Sequence, residues 1–262
     1  MGWNGIERNK MDYIITDTLP VEVSELFSLT PFYEFLLEKN QQKVINNLIQ
    51  QLKIEKCSNS QKMFCDSWCT QPLRYHISKG NETVRKMGIP QPLSVLNMYL
   101  FIECYQKEIL YYFEKNHCYS IRYHKKNSNL YYKRKSKQVT QYFQKQSSQI
   151  GKEIIQQAGN YYRVIPYESI NAFTGSVMWR MCNYKYKYYA RIDYKSCFDS
   201  IYSHVFAWMV ERGVEDSQKA QNSNLFIAID RVLQNINGRL SNGIIVGPEF
   251  SRMIAEVLLQ HI

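Results

Sequence analysis

The chain has 262 residues, 45% of them hydrophobic, which is enough to build a sizeable core and excludes disorder throughout. Lysine and arginine number 33 against 23 aspartates and glutamates, a formal net charge of +10 that favours a polyanionic partner. No apolar run reaches the ~18 residues of a membrane span, no signal peptide is present, and Gly2 is followed by Trp-Asn-Gly-Ile, without the hydroxyl residue of an acylation site. A cytoplasmic chain with no membrane partner is expected.

The charge is concentrated. From Ser120 to Ile192 there are 14 lysines and arginines against two acids, Glu153 and Glu168, a local +12 that leaves −2 for the rest. Tyrosine is abundant at 21 and phenylalanine adds 12. Tyrosine buries a ring while keeping a polar tip, which suits a half-wet nucleic-acid groove, and a codon bias would enrich it as well. The seven cysteines are odd in number and scattered, unlike a disulfide framework, and fit a reducing compartment. Cys57, Cys65, Cys69 and His76 are separated by seven, three and six residues, which matches no common zinc finger.

In chain order, residues 1 to about 80 read as mainly helical and mixed. Asp17, Thr18 and Pro20 break the chain. Pro31 then opens a helix with Phe32, Leu36 and Leu37 on one stripe, and Val44 to Ile54 repeats apolar residues at helical spacing. Gly88-Ile89-Pro90-Gln91-Pro92 is barred from helix, because each residue before a proline is pushed to extended geometry. Ser94 can cap the helix that follows, with Leu96, Tyr99, Leu100, Glu103 and Leu110. Arg122, Lys125, Lys126, Lys133, Arg134, Lys135 and Lys137 form a run with no acid and with Tyr123, Tyr131 and Tyr132 interleaved. Such a run is either a solvated loop or a nucleic-acid contact. Tyr184 to Ile192 alternates, with Lys185, Lys187, Tyr189 and Arg191 on one side, and predicts a half-buried strand running into Asp193.

A carboxylate at a strand end is a rigid hard-oxygen ligand for metal-dependent phosphoryl transfer, although a lone aspartate there is commonly a turn former. A helix is expected from about Ser200, with Ile201, Val205, Trp208 and Met209 inward, and His204 reads as a packed structural histidine. Leu225, Ile229, Val232, Leu233 and Ile236 predict a second amphipathic helix. A turn-rich segment to Gly243 follows, then Gly247, then a last helix with Phe250, Ile254, Val257 and Leu258.

The order of these pieces resembles a known family. Asp193-x4-Phe198-Asp-Ser-Ile-Tyr-Ser-His204-x3-Trp208 is similar to the first catalytic block of reverse transcriptases. Gly243-x3-Gly247-Pro-x2-Ser251-Arg252-x3-Glu256-x2-Leu259 is similar to the next block, and Arg85 with Ile89-Pro90-x-Pro92 to an upstream fingers block. The Ser-Ile-Tyr-Ser-His-x3-Trp form most resembles bacterial abortive-infection and antiphage-defence reverse transcriptases. The resemblance covers roughly residues 81 to 262. It implies an α+β fold, mostly helical, of right-hand polymerase fingers and a partial palm whose short antiparallel sheet is left incomplete. Residues 1–80 would be a helical N-terminal extension, 81–183 the fingers with the basic segment, and 184–262 the partial palm.

By the same resemblance, the chemistry would be two-metal nucleotidyl transfer from dNTPs on RNA or DNA, with magnesium. Asp193 and the backbone carbonyl of Tyr194 would be metal ligands. Phe198 would stack under the incoming sugar, Gly247 would line the nucleotide side, and Arg85 or Lys86 would meet the triphosphate. Val246 departs from the pattern, standing where many relatives carry glutamine. The family's Tyr-x-Asp-Asp block is absent from this sequence, so the chain is expected to be an N-terminal portion, inactive alone, with homo-oligomerisation open. The alternatives are a retron-type or group II intron-type reverse transcriptase, or a non-catalytic nucleic-acid-binding fragment.

Overall fold

The computed structural model describes residues 4–6, 8–23, 27–58, 63–80, 83–116, 120, 122–127, 131–133, 159–190, 192–210, 214–219 and 224–261. Eleven α-helices, two short 3-10 helices and six strands are found among them, a mixed helix-and-strand fold of the expected α+β kind. The strands form three two-stranded antiparallel sheets. β1 (Asn4–Ile6) pairs with β5 (Tyr131–Lys133), β2 (Leu73–Gly80) with β3 (Thr83–Ile89), and β4 (Arg122–Lys126) with β6 (Tyr162–Pro166).

The N-terminal helices are α1 (Tyr13–Thr16), α2 (Thr30–Leu37) and α3 (Lys39–Ser58). Pro31 sits in the first turn of α2 as its fixed φ predicts. Along α3, Ile45, Ile49 and Leu52 are buried at helical spacing, while Val44 and Ile54 lie outside that stripe and are exposed. The β2–β3 hairpin, whose first strand lies within the segment read as mainly helical, corrects that reading. Its outer strand β2 has no fully buried residue, so no periodic apolar face announces it.

At the centre lies α4 (Pro92–Asn116). Two prolines stop the chain from being helical earlier, and the second becomes the first residue of the helix. The helix thus starts two residues before the expected cap, and Ser94 is buried inside it, hydrogen-bonded to the Thr70 hydroxyl. Val95, Met98, Leu100, Phe101, Ile102 and Ile109 are inaccessible around the whole circumference of α4, the mark of a helix surrounded by others. Phe101 stacks on Tyr105 at 5.3 Å between ring centroids and meets Phe250 edge-on at 5.6 Å. Each such side chain contributes about 1.5–3 kcal/mol by leaving water.

Against α4 pack α10 (Leu225–Ile236) and α11 (Glu249–Leu259). Both bury the residues expected from their spacing, including Ile229, Val232, Leu233, Phe250, Ile254 and Val257. The Asn224 side chain caps α10 by accepting from Phe226 N at 2.8 Å. Between α4 and α10 in the chain lie α5 (Ile170–Thr174), α6 (Val177–Lys185), α7 (Cys197–Ser200), α8 (His204–Trp208) and α9 (Val214–Lys219). The predicted helix from Ser200 is thus two short pieces, broken at Ile201, and Trp208 is exposed.

Tyr184 to Ile192 is not a half-buried strand. The Ser176 side chain caps α6, which continues through Lys185, and the chain leaves it through an extended Tyr186 and then without regular structure or a partner strand among the described residues. Tyrosine tolerates water at its tip, so alternating tyrosines do not guarantee a buried face.

A buried polar group ties the N-terminus to this core. Asp17 accepts from Tyr161 N at 2.6 Å, Tyr162 N at 3.1 Å and the Thr16 hydroxyl at 2.5 Å, and its backbone carbonyl accepts from Glu249 N at 2.9 Å. Burial pushes its carboxyl up to about 7, against those side-chain hydrogen bonds and with help from the negative charge of Glu249. No helix among the described residues is long and apolar enough to cross a membrane.

Candidate functional site

Three stretches far apart in sequence meet at one place. The chain enters α7 through Ser196, whose φ of +51° is left-handed, and then runs alongside the segment before α11. Ile244 N donates to Phe198 O at 2.8 Å, Gly243 N to Ile201 O at 2.8 Å, and Ser203 N to Ser241 O at 2.8 Å, with Tyr202 opposite Asn242 in antiparallel sense. On its other side the same segment takes a third partner. Gly88 N, near the end of β3, donates to Val246 O at 3.0 Å. The Asp193-to-Trp208 block, the Gly243-to-Leu259 block and the Arg85-to-Pro92 block are therefore joined by backbone hydrogen bonds.

The glycines make the approach possible. A Cβ at Gly88 would lie 2.7 Å from Ile245 Cγ2. Gly247 has φ +132°, and a Cβ there would lie 2.3 Å from Pro20 Cγ and 3.3 Å from Met87 Cε. Gly247 is buried under Pro20 and Met87, so its structural reason is close packing as well as backbone conformation. From the end of α10, Asn237 Nδ2 donates to Gly243 O at 2.9 Å and Arg74 donates to the Asn237 side-chain oxygen, which fixes the turn between the blocks.

Asp193 lies in an exposed loop between α6 and α7, and it makes no hydrogen bond or ion pair among the described residues. Burial of the Cys197 thiol, and then the Asp193 charge beside it, push that thiol up from its ordinary value. Tyr194 is exposed, whereas Phe198 is half-buried and packs on the core edge. Strand alternation separates Arg85 from Lys86. Arg85 lies opposite Ile77, on the same side of β3 as Met87, which touches Gly247. Lys86 lies opposite His76 on the other side and is exposed. Arg85 is half-buried with no hydrogen bond or ion pair among the described residues. Of the pair, it is the cation placed towards the three-block junction.

The basic segment divides. Arg122 is 3.9 Å from Glu256 across an ion pair, Lys126 lies over the Tyr161 ring at 5.8 Å, and Lys125 is exposed. Lys133 ends β5, opposite Asn4. Arg134, Lys135 and Lys137 lie outside the described residues. His204 is paired with Asp230 of α10 at 2.8 Å, and Gln234 donates to the other Asp230 oxygen at 2.8 Å, consistent with a packed histidine.

One buried ionic contact was not anticipated. His124 of β4 lies 2.9 Å from Glu249 Oε1, and Arg252 donates to Glu249 Oε2 at 3.2 Å. Burial raises the Glu249 carboxyl, but the His124 and Arg252 contacts outweigh it and hold it below the usual range. The Glu249-x2-Arg252 spacing on one helix face was a readable signal, while the partner from the basic run was not.

For magnesium, the described residues offer a partial donor set. Asp193 is a free, exposed carboxylate, but no group of three or more His, Cys, Asp or Glu side chains among them comes together as a metal cage. No protein-family model matches the chain, and no curated protein matches it.

Proposed function

We propose that the chain is the fingers and front palm of a reverse transcriptase, an RNA-directed DNA polymerase that transfers nucleotides from dNTPs, of the kind used in bacterial antiphage defence. The observation that carries this reading is the junction of three blocks. The segments that resemble the fingers, first catalytic and following glycine blocks are sutured by the Gly88–Val246 and Gly243–Ile201 hydrogen bonds. Nothing in local propensity requires stretches so distant in sequence to meet, whereas a polymerase site assembled from those blocks does. In this reading Asp193 is a magnesium ligand, with the Tyr194 carbonyl beside it. Arg85 is the cation for the triphosphate, offsetting charge that develops on phosphoryl oxygens. A two-metal transfer needs more carboxylates than Asp193, so the 262 residues alone incorporate no nucleotide.

The test pairs two aspartates in a version of the protein that supplies the further carboxylates. Asp193→Asn keeps the shape and removes the charge, so magnesium-dependent dNTP incorporation and phage protection both disappear while the fold survives. Asp199 lies within the short helix α7, and Asp199→Asn costs stability more than chemistry. Incorporation that persists in Asp193→Asn and vanishes in Asp199→Asn would overturn the placement of the block. Incorporation by the unaided 262 residues would overturn the reading of an incomplete metal site.

A further inference from the structure

We infer that the exposed segment from Tyr184 to Tyr189, together with the end of α6, is a stacking platform for single-stranded nucleic acid, distinct from the three-block junction. Its alternating tyrosines, which pair with no strand among the described residues, are the starting point. Tyr184 is 97% exposed and Tyr188 81% exposed, with Tyr186 and Tyr189 also exposed. Rings exposed to water at this density form a patch of the kind that marks an interaction surface.

One of these rings, Tyr189, is held in place from behind. Tyr167, Phe173, Trp179 and Tyr189 form a chain of edge-to-face contacts, with centroids 5.3, 5.4 and 5.7 Å apart. This ladder fastens α5, α6 and the extended tail into one small unit. The tail therefore presents its outer rings without collapsing onto the core.

Charge names the occupant. Between Ser169 and Ile192 there is no acid, and there are four cations, Arg180, Lys185, Lys187 and Arg191. Lys185 lies 5.2 Å from the Tyr186 ring and Lys187 5.5 Å from the Tyr188 ring, so each of these lysines stands beside a ring. A base on the ring and a phosphate on its neighbouring ammonium use both groups at once, which is how sequence-tolerant single-strand grooves work. A protein-docking core is depleted in lysine, so interleaved lysines argue against a protein partner. Beyond Lys185 the backbone is neither helix nor sheet, and its peptide groups could not enter lipid without large cost.

This surface does not depend on the polymerase reading, since a non-catalytic chain would carry it equally. The purified 262-residue chain is titrated by fluorescence anisotropy with labelled oligo(dT) of about twelve nucleotides, within the span of one stacking groove. An abasic oligomer of the same length and phosphatidylserine vesicles serve as the comparison probes. The wild-type chain should bind oligo(dT) more tightly than the abasic strand. The double variant Tyr184→Ala, Tyr188→Ala should lose about tenfold in affinity for oligo(dT) and little for the abasic strand, and Tyr184→Phe, Tyr188→Phe should retain binding. Both residues are exposed, so circular dichroism should show an unchanged fold in either variant. Equal binding of abasic and normal strands would overturn the proposal, as would an unchanged affinity in the alanine variant. So would a loss confined to vesicle binding or to self-association, which would assign the surface to lipid or to a second copy.

Discussion

Tyr13, Tyr161 and Tyr162 are buried completely or nearly so, whereas Tyr184, Tyr188 and Tyr189 stand in water. The first three meet edge to face at 6.2, 5.8 and 5.1 Å between centroids, and the backbone N–H groups of Tyr161 and Tyr162 are captured by Asp17. Of the second three, Tyr188 lies beside Lys187 and Tyr189 meets Trp179, both contacts within their own segment. Residue type is the same in both. What differs is a distant acceptor: Asp17 draws one segment inward, and among the described residues nothing draws the other. For Tyr161 and Tyr162, burial goes with capture of their backbone by a distant carboxylate.

The comparison breaks most directly on stability. Tyr162→Ala empties a site in the middle of the core and should cost about 3–5 kcal/mol, the range for a buried aromatic. Tyr184→Ala should stay within about 0.5 kcal/mol of the parent, as surface changes do. Urea unfolding of both variants measures the difference. A large loss in Tyr184→Ala would mean that the outer segment folds against something and is not a free surface.

The same contrast explains what the sequence made legible. α10 and α11 carry one buried stripe each, and the positions of Ile229, Val232, Phe250 and Ile254 follow from spacing alone. The break before α4 follows from Pro90 and Pro92, a covalent constraint that needs no context. The hairpin β2–β3 stayed hidden because half-exposed strands lack a clean period, and the outer tyrosines misled because alternation counts a ring as apolar. At the site, Asp193, Phe198 and Arg85 were named from block resemblance. The choice between Arg85 and Lys86 needed the register of β3, and the crowding of Gly247 by Pro20 needed the tertiary fold. Close approaches between distant segments leave no local trace in composition.

A second, smaller effect separates the two cationic surfaces. Lys133→Glu, Arg134→Glu, Lys135→Glu reverses charge in the densest part of the basic run. Affinity for any strand, with or without bases, should fall about tenfold at low salt, which corresponds to about 1.4 kcal/mol. The slope of log affinity against log salt should flatten by roughly 0.9 for each duplex phosphate that the chain no longer neutralises. Equilibrium binding across a salt series reads both quantities. If affinity and slope are unchanged, the run is a solvated face, and the positive field that matters lies elsewhere on the chain.

Another effect sits on the buried side of the comparison and is read through pH. Asp17 is raised from 3.8 to about 7 in the folded chain, chiefly by burial. Between those values the folded state holds a proton that the unfolded state has released, so stability falls as pH rises. The Asp17 contribution is complete below about 4 and gone above about 7, with a slope of at most about 1.4 kcal/mol per pH unit. Glu249 works in the opposite sense and in a different window. Its carboxyl is held below its ordinary 4.5, so the stability it contributes is present above that value and is lost as pH falls through the folded one. Urea midpoints measured from about pH 4 to about 7 should therefore decline in the parent chain, with Asp17 as the buried source. Asp17→Asn removes the titrating group and should flatten that decline whatever it does to absolute stability, because the slope counts protons and not contacts. Tyr184→Ala, on the exposed segment, should leave the slope as it is. A slope unchanged in Asp17→Asn would show that another group takes up the proton, and that Asp17 holds the Tyr161 and Tyr162 backbone as a permanent carboxylate.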